Sequence, residues 1–550
     1  RRQRQMCIRD RNIFMKHKLF LFFFSFFVST LTYSQEIILN TDLNSFDVLD
    51  KSENSFSFNS SVNRISYKTI KTEEGNFTKL IIPSYTSSSK IGSPEMLMLN
   101  KLISIPKGIK PVIEIISSSE QLIKLDDYNI SLPIFPKQPS ISKGDKLEDI
   151  KFYYDNFSYE INDFSFDNLI SFSNLGKMRG VDLSRLTISP FSYNPVKNEL
   201  KIITNLTVKI SYDSTVDNLE KYYSSDFNSL YKKCINFIPP SNKDVITTYP
   251  VKYIIVSDPA YQVALQPFID WKTRKGFEVV EAYTSDPVVG NTTLSIKSFI
   301  QNFYDNASIN NPAPTYLLLV GDIDQVPSFQ ASGHVSDMYY CEFDGNGDFY
   351  PEMYYGRFSA SSVLDVEVQV AKTLTHEQYT FNDPAFLDEI LLVAGVDASF
   401  APTYGNGQIN YATDNYFNIA HNLTIHNYLY GSGSPITSDQ SQASSAIISN
   451  VSEGVGFANY SAHCGPSGWS DPSFNNGDVS SLQNNNEYGL MIGNCCQSAK
   501  FDEPTCFGES LLRANDKGAL GYIGGSNNTF WDEDYWWAVG STSSFVSYPT

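Results

Sequence analysis

At 550 residues the chain exceeds one ordinary domain and can bury a large core, and its 41% hydrophobic, 14% aromatic and 18% charged residues are a globular composition. A formal net charge of -19 argues against nucleic acid or an anionic membrane as partner. Seven of the 41 basic residues lie within the first 18, so the remainder is more acidic still, a field that favours cationic substrates but that plain secreted proteins share.

Residues 1–14 (RRQRQMCIRDRNIF) precede a natural start at Met15 and read as foreign translated sequence. Met15-Lys16-His17-Lys18 followed by LFLFFFSFFVSTLTYS reads as a signal peptide over residues 15–34, cleaved near Ser34–Gln35. The apolar run is too short for a comfortable membrane span, so no transmembrane anchor is expected in this fragment.

Residues 35–243 are rich in Ser, Asn, Ile and Lys, with alternating runs such as LKIITNLTVKISYD (200–213) and Pro and Gly breaks near 105–111 and 133–144. That pattern predicts an antiparallel, β-rich domain. It holds no histidine and no strong catalytic constellation. IPPSNKDVITTYP (238–250) reads as a linker.

From residue 251 the texture changes. VKYIIVS, YLLLVGD, EILLVAGVD, GVGFANYSAH, YGLMIGNCC and GALGYIGGS are nearly continuous apolar runs ending in Gly, Ser, Asp, His or Cys, with helix-like segments such as ALQPFIDWKTRKG and SIKSFIQNFYDN between them. Buried parallel strands alternating with helices produce that pattern, and such sheets bind ligands at the carboxyl ends of their strands. Asp397, His463 and Cys496 all lie at such ends. Residues 244–385 and 386–550 are taken as two subdomains, the second carrying the site. The closing FVSYPT bears no terminal signal and reads as a truncation.

Four cysteines crowd between residues 464 and 506, which asks for a chemical explanation. A cysteine nucleophile needs a base and an oxyanion donor set. Of His334, His376, His421, His426 and His463, only His463 directly follows an apolar run and faces a similarly placed cysteine. A strand-end histidine is by itself as readily structural, and Asp397 reads equally as a turn residue.

FANYSAHCGPSGWSDPS (457–473), YGLMIGNCCQSAKFDEPTCFGE (488–509), GALGYIGGSNNTFWDEDYWWAVGS (518–541) and YYCEFDGNGDFYPEMYYGRFSASS (339–362) resemble, in order, segments of the gingipains, caspase-like cysteine endopeptidases secreted by bacteria. The likeness covers roughly residues 250–550, is greatest to the family's lysine-specific members, and continues more weakly into the preceding propeptide. It implies an α/β, caspase-like domain with a mostly parallel sheet flanked by helices. It also implies a protein at the surface of, or outside, a bacterium that acts on protein or peptide substrates and is inhibited by its own propeptide.

The same resemblance assigns Cys496 as nucleophile, His463 as base and Asp397 as the residue that orients the imidazole. The backbone N–H groups of Cys464 and Cys496 become the oxyanion donors. Asp534, Ser461 and Trp531 become the walls of a lysine pocket, although Asp532-Glu533-Asp534 also reads as a solvated acidic turn. No catalytic cofactor is implied. Structural Ca²⁺ is, at the carbonyl of Phe501 with Glu509; separately, DGNGDFYPE (344–352) sets Asp344 and Asp348 at alternating positions that suit Ca²⁺ but read equally as a plain turn. Cys464 stands where the family carries glycine. If that position needs φ > 0, cysteine costs strain there; a catalytically impaired relative that acts as a binding or surface protein is then the alternative. Cys464 also raises a contact with Cys495 or Cys496, and the expectation is against such a bond. Maturation is expected at Lys243–Asp244, in the linker.

Overall fold

The computed structural model describes residues 35–540 except 89, 166–167, 214–220, 240–249, 346, 432–435 and 437–438. The foreign segment, the signal peptide and the Lys243–Asp244 bond lie outside the described residues.

The region before the linker is antiparallel β structure. A central strand, Glu199–Ser211, pairs on one side with Val112–Lys124 and on the other with Phe191–Asn194 and Ser55–Ser61. Its apolar residues recur with a period of two, so Leu200, Ile202, Leu206, Val208 and Ile210 all turn inward while the lysines between them do not. Those side chains meet Phe56, Phe58, Leu99 and Ile103 from neighbouring strands in one core.

After the linker the chain builds two parallel sheets. The first has the order Glu278–Tyr283, Lys252–Ser257, Tyr316–Val320, Tyr354–Phe358; the second has Thr424–Tyr428, Glu389–Val393, Phe457–Ser461, Leu490–Asn494, Gly521–Gly524. The six apolar runs predicted as strands are all present. Three further strands, Glu278–Tyr283, Tyr354–Phe358 and Thr424–Tyr428, are sheet edges whose polar residues hide them from a search for apolar runs. The predicted helices are Gln262–Arg274 and Thr293–Asp305, the latter started by a Thr292–Ser295 capping box. The helix Val363–Glu377 packs on Gln262–Arg274 and on Phe507–Arg513, so it ties the two sheets together. There the Lys372 ammonium donates to the carbonyls of Leu511 and Leu512, each at 3.0 Å.

The β-rich region is docked onto the two-sheet unit through buried polar contacts. Arg179 is fully buried; its guanidinium donates to the carbonyls of Pro314 and Glu352 and lies over the rings of Phe227 and Tyr304. A second contact, made by residues 140–145, enters the carboxyl-end face of the second sheet.

Candidate active site

The strands Glu389–Val393, Phe457–Ser461 and Leu490–Asn494 are neighbours in the second sheet, so the loops that leave their carboxyl ends are brought side by side. These loops carry Asp397, His463 and Cys496. Asp397 is both a turn residue and a partner. One carboxylate oxygen accepts from the N–H groups of Ser399 and Phe400, at 2.8 and 3.0 Å, and the other lies 3.0 Å from His463 Nε2. The Tyr460 hydroxyl donates to the His463 carbonyl at 2.7 Å, and the Trp531 ring stands edge-on to the imidazole with centroids 5.3 Å apart.

Cys496 is buried, with the Thr529 N–H directed at its sulfur at 3.5 Å. Burial pushes its thiol above the ordinary value; the Thr529 N–H and the Lys143 ammonium act against that. Cys495 points elsewhere and is bonded to Cys464, with Cα atoms 5.3 Å apart. The expectation against such a bond is corrected here. The antiparallel pairing of Cys464–Gly465 with Gly468–Ser470 turns Cys464 toward the end of the neighbouring strand, which brings the two sulfurs together. The residue after His463 is thereby tied to the residue before Cys496. Cys464 is not among the residues with positive φ, so the strain expected from cysteine there does not arise.

Lys143, from the β-rich region, fills the cavity beside these residues. Its side chain is wholly buried, and its ammonium lies 2.7 Å from Asp534 Oδ2, 2.5 Å from the Asn494 carbonyl and 3.4 Å from Ser461 Oγ. The Trp531 ring centroid is 4.7 Å from the same nitrogen. Burial pulls the ammonium below its ordinary pKa and Asp534 opposes that. Asp534, in the first turn of the helix Trp531–Val539, also accepts from the Thr529 hydroxyl at 2.7 Å, so it is no solvated turn carboxylate.

The backbone around Lys143 runs antiparallel to residues 529–531. Lys143 N–H donates to Thr529 O at 2.8 Å, and Trp531 N–H donates to Ile141 O at 3.1 Å. The Lys143 carbonyl accepts from His463 Nδ1 at 2.7 Å. Both imidazole nitrogens therefore face oxygen acceptors, an arrangement that a doubly protonated ring satisfies.

Lys143, the Asn494 carbonyl and Thr529 escaped the sequence reading. A signal for the first exists: SISKGDK (140–146) sets one lysine before a glycine in a Pro- and Ser-containing break, the features that single out the linker lysine. A backbone carbonyl leaves no such trace.

The residues expected to bind calcium divide. Around Asp344 and Asp348, Glu342 Oε1 and Glu352 Oε1 are buried without a hydrogen-bond partner, which is chemistry a hard cation would satisfy. Asp348 accepts from the N–H groups of Lys177 and Tyr350, and no three acidic, His or Cys groups converge among the described residues. At Glu509 the carboxylate is already paired with the Arg513 guanidinium and also accepts from Ser359 and the Cys506 N–H, so that pair with Phe501 does not fit a second cation as placed.

Residues 246–544 match the model of Peptidase family C25, and residues 36–237 match its propeptide model, Propeptide_C25. The chain is 36% identical over 518 residues to Lys-gingipain HG66 of Porphyromonas gingivalis, which covers 92% of this chain and 29% of that protein. It is 25% identical over 449 residues to Gingipain R2 of the same organism, covering 80% and 58%. A solved structure described as "Structure of Protease" is 38% identical, with a TM-score of 0.50 over 55% of this chain and 64% of that one. The chain thus spans about three tenths of the length of the Lys-gingipains that it matches.

Two measurements test this geometry. Because burial pushes the Cys496 thiol above its ordinary value, iodoacetamide should label it in the intact chain more slowly at neutral pH than an exposed cysteine, and faster as the pH rises. Labelling at pH 7 as fast as that of an exposed cysteine would refute the buried state. Changing Cys464 and Cys495 together to Ala opens a 31-residue loop and should cost about 3–4 kcal/mol in urea unfolding. An unchanged midpoint, or alkylation of both residues in the unfolded, non-reduced chain, would show that no bond is present.

Proposed function

Because the chain belongs to peptidase family C25, we propose that it is the latent form of a secreted cysteine endopeptidase that cleaves after lysine. The observation that carries this reading is Lys143 lying in the Asp534 pocket with its carbonyl at His463. A substrate lysine would take the same place, with its backbone paired to residues 529–531.

In the reaction, His463 takes the Cys496 proton and the thiolate attacks the lysine's own carbonyl carbon. The oxyanion is held by the N–H groups of Cys496 and Cys464. The C–N bond breaks as His463 returns the proton to the leaving amine, and water then hydrolyses the thioester. Asp397 keeps the imidazole oriented. Its two turn hydrogen bonds fix one carboxylate oxygen, so the other is held ready for Nε2.

Latency follows from the same contacts. With Lys143 bound, the imidazole donates to the carbonyl and has no lone pair for the thiol proton, while the pocket is closed to substrate. The propeptide acts as an inhibitor that resembles a substrate. Release by cleavage at Lys243–Asp244 belongs to this reading, as does export directed by residues 15–34. Among the described residues no helix is long and apolar enough to cross a membrane.

The test uses enzyme activated from the full chain. Matched lysyl and arginyl peptides should differ in kcat/KM on the order of 10²-fold, because the pocket carboxylate meets an ammonium and pairs poorly with a guanidinium. Asp534→Ala should abolish the difference, Cys496→Ala should abolish turnover, and Lys143→Ala should make activity appear sooner, with N-terminal sequencing reading the cut. Equal rates on both peptides refute lysine selection. No turnover by wild type would favour the impaired relative.

Structural calcium at the loop of Asp344 and Asp348 is part of the proposal, supported by the buried, unpartnered carboxylate oxygens of Glu342 and Glu352 nearby. Millimolar calcium should raise the Tm of the full chain, and Asp348→Asn should remove the rise. No shift in wild type would refute it.

A further inference from the structure

We infer that Gln408 is a positioning residue that sets the end wall of the cation pocket and its preference for an ammonium over a guanidinium, an inference that rests on the lysine reading above. Gln408 lies in the helix Asn406–Asn415 and is 3% exposed. That helix is seated tightly. A Cβ on Gly405 would fall 2.5 Å from the Ala394 carbonyl, and the Asn406 side chain bonds Tyr430 N and O at 2.8 Å each.

The Gln408 amide reaches into a buried polar network beneath the pocket. Its Oε1 accepts from the side-chain amides of Asn459 and Asn494, each at 3.4 Å, and Asn494 also donates to Asn459 Oδ1 at 3.0 Å. Two donors on one end assign that end as the oxygen, so Nε2–H donates to Ser461 Oγ at 3.0 Å. A flipped amide would set donors against donors.

The consequence lies in what Ser461 offers the substrate. One lone pair of its oxygen is taken by Gln408, and the other meets the Lys143 ammonium. With Asp534 Oδ2 and the Asn494 carbonyl, Ser461 completes three acceptors for the N–H groups of an ammonium. An arginine side chain is longer and carries its donors on a planar fork. Gln408 occupies the space on the far side of Ser461, and the amide end that it turns toward Ser461 is a donor, which cannot accept from the fork. Volume and polarity both act against arginine, which is discrimination by exclusion added to discrimination by attraction.

The measurement is kcat/KM for matched lysyl and arginyl peptides, with the rates at which lysyl and arginyl chloromethyl ketones label Cys496, in wild type, Gln408→Ala and Gln408→Glu. Gln408→Ala should lower the lysine-to-arginine ratio about tenfold, with the loss on lysine carried mainly by KM. Gln408→Glu keeps the volume, should the alanine variant fail to fold, and replaces the donor by an acceptor that a guanidinium can use, so the ratio should fall there too. A merely structural role would lower both rates alike. A lysine-selective wild type whose ratio survives both substitutions overturns this inference alone; a wild type without lysine preference removes the lysine reading and this inference with it.

Discussion

The buried ion pair between Lys143 and Asp534 joins the two halves of the molecule and sets the state of the site between them. An ammonium leaving water loses several kcal/mol of hydration, recovered only if good partners surround it. Here it finds a carboxylate, a carbonyl, a hydroxyl and an aromatic face. The carboxylate is itself steadied by the Thr529 hydroxyl and stands in the first turn of a helix, where the dipole favours negative charge. Removing either member would leave the other buried and unpaired, a cost of about 3–5 kcal/mol. On the lysine-selective reading proposed above, selectivity and inhibition share one physical cause, because the groups that would make the pocket specific also hold the Lys143 ammonium.

Everything else in the second sheet serves to bring loop residues into that geometry. Parallel strands leave from one edge, so three neighbouring strands deliver Asp397, His463 and Cys496 together, although 99 positions separate the first from the last in sequence. Ser461 and Asn494 are register partners on adjacent strands, which places a hydroxyl and a carbonyl at one end of the same cavity. The Cys464–Cys495 bond fastens those two strand ends beyond the last ladder pair. A cross-link acts there where the sheet no longer can.

What the sequence made legible follows from which forces leave a periodic mark. Strands buried on both faces, such as Tyr316–Val320 and Glu389–Val393, are written as apolar runs, and the alternation of Glu199–Ser211 marks a sheet with one buried face. Glu278–Tyr283 and Thr424–Tyr428 are edges in which only one residue of each is buried, so their pattern fades into that of loops. His463 and Cys496 were readable because each ends an apolar run. Lys143 was not, because its partner Asp534 lies 391 positions away and no local pattern records a contact of that span. Gln408 leaves no mark for the same reason; its hydrogen-bond partners come from two strands distant in sequence. The cysteine pairing went the other way, since proximity in sequence of Cys495 and Cys496 said nothing of which one turns toward Cys464.

On the lysine-selective reading, a pocket filled by lysine would ordinarily be a pocket about to cut. Acylation needs an imidazole able to take a proton and a carbonyl polarised by oxyanion donors. In the latent chain the Lys143 carbonyl is instead bonded to His463 Nδ1, so one contact withholds the base and misdirects the electrophile together. Gly144 follows directly, and a Cβ there would press on the Asn528 amide at 2.7 Å, so the segment after the lysine is also fitted to the site rather than passing through it. The inhibitor is thus held by affinity and spared by geometry. Affinity of that kind depends on the β-rich region staying covalently attached, because tethering keeps the local concentration of Lys143 high whenever it leaves the pocket. Cutting the chain far from the pocket, in the linker, would weaken inhibition without touching any contact in it. The buried Arg179, the Asp226 contacts to Tyr316 and Tyr354 and the stacking of Tyr222 on Tyr304 would remain, beside the pocket itself, to hold the separated halves together.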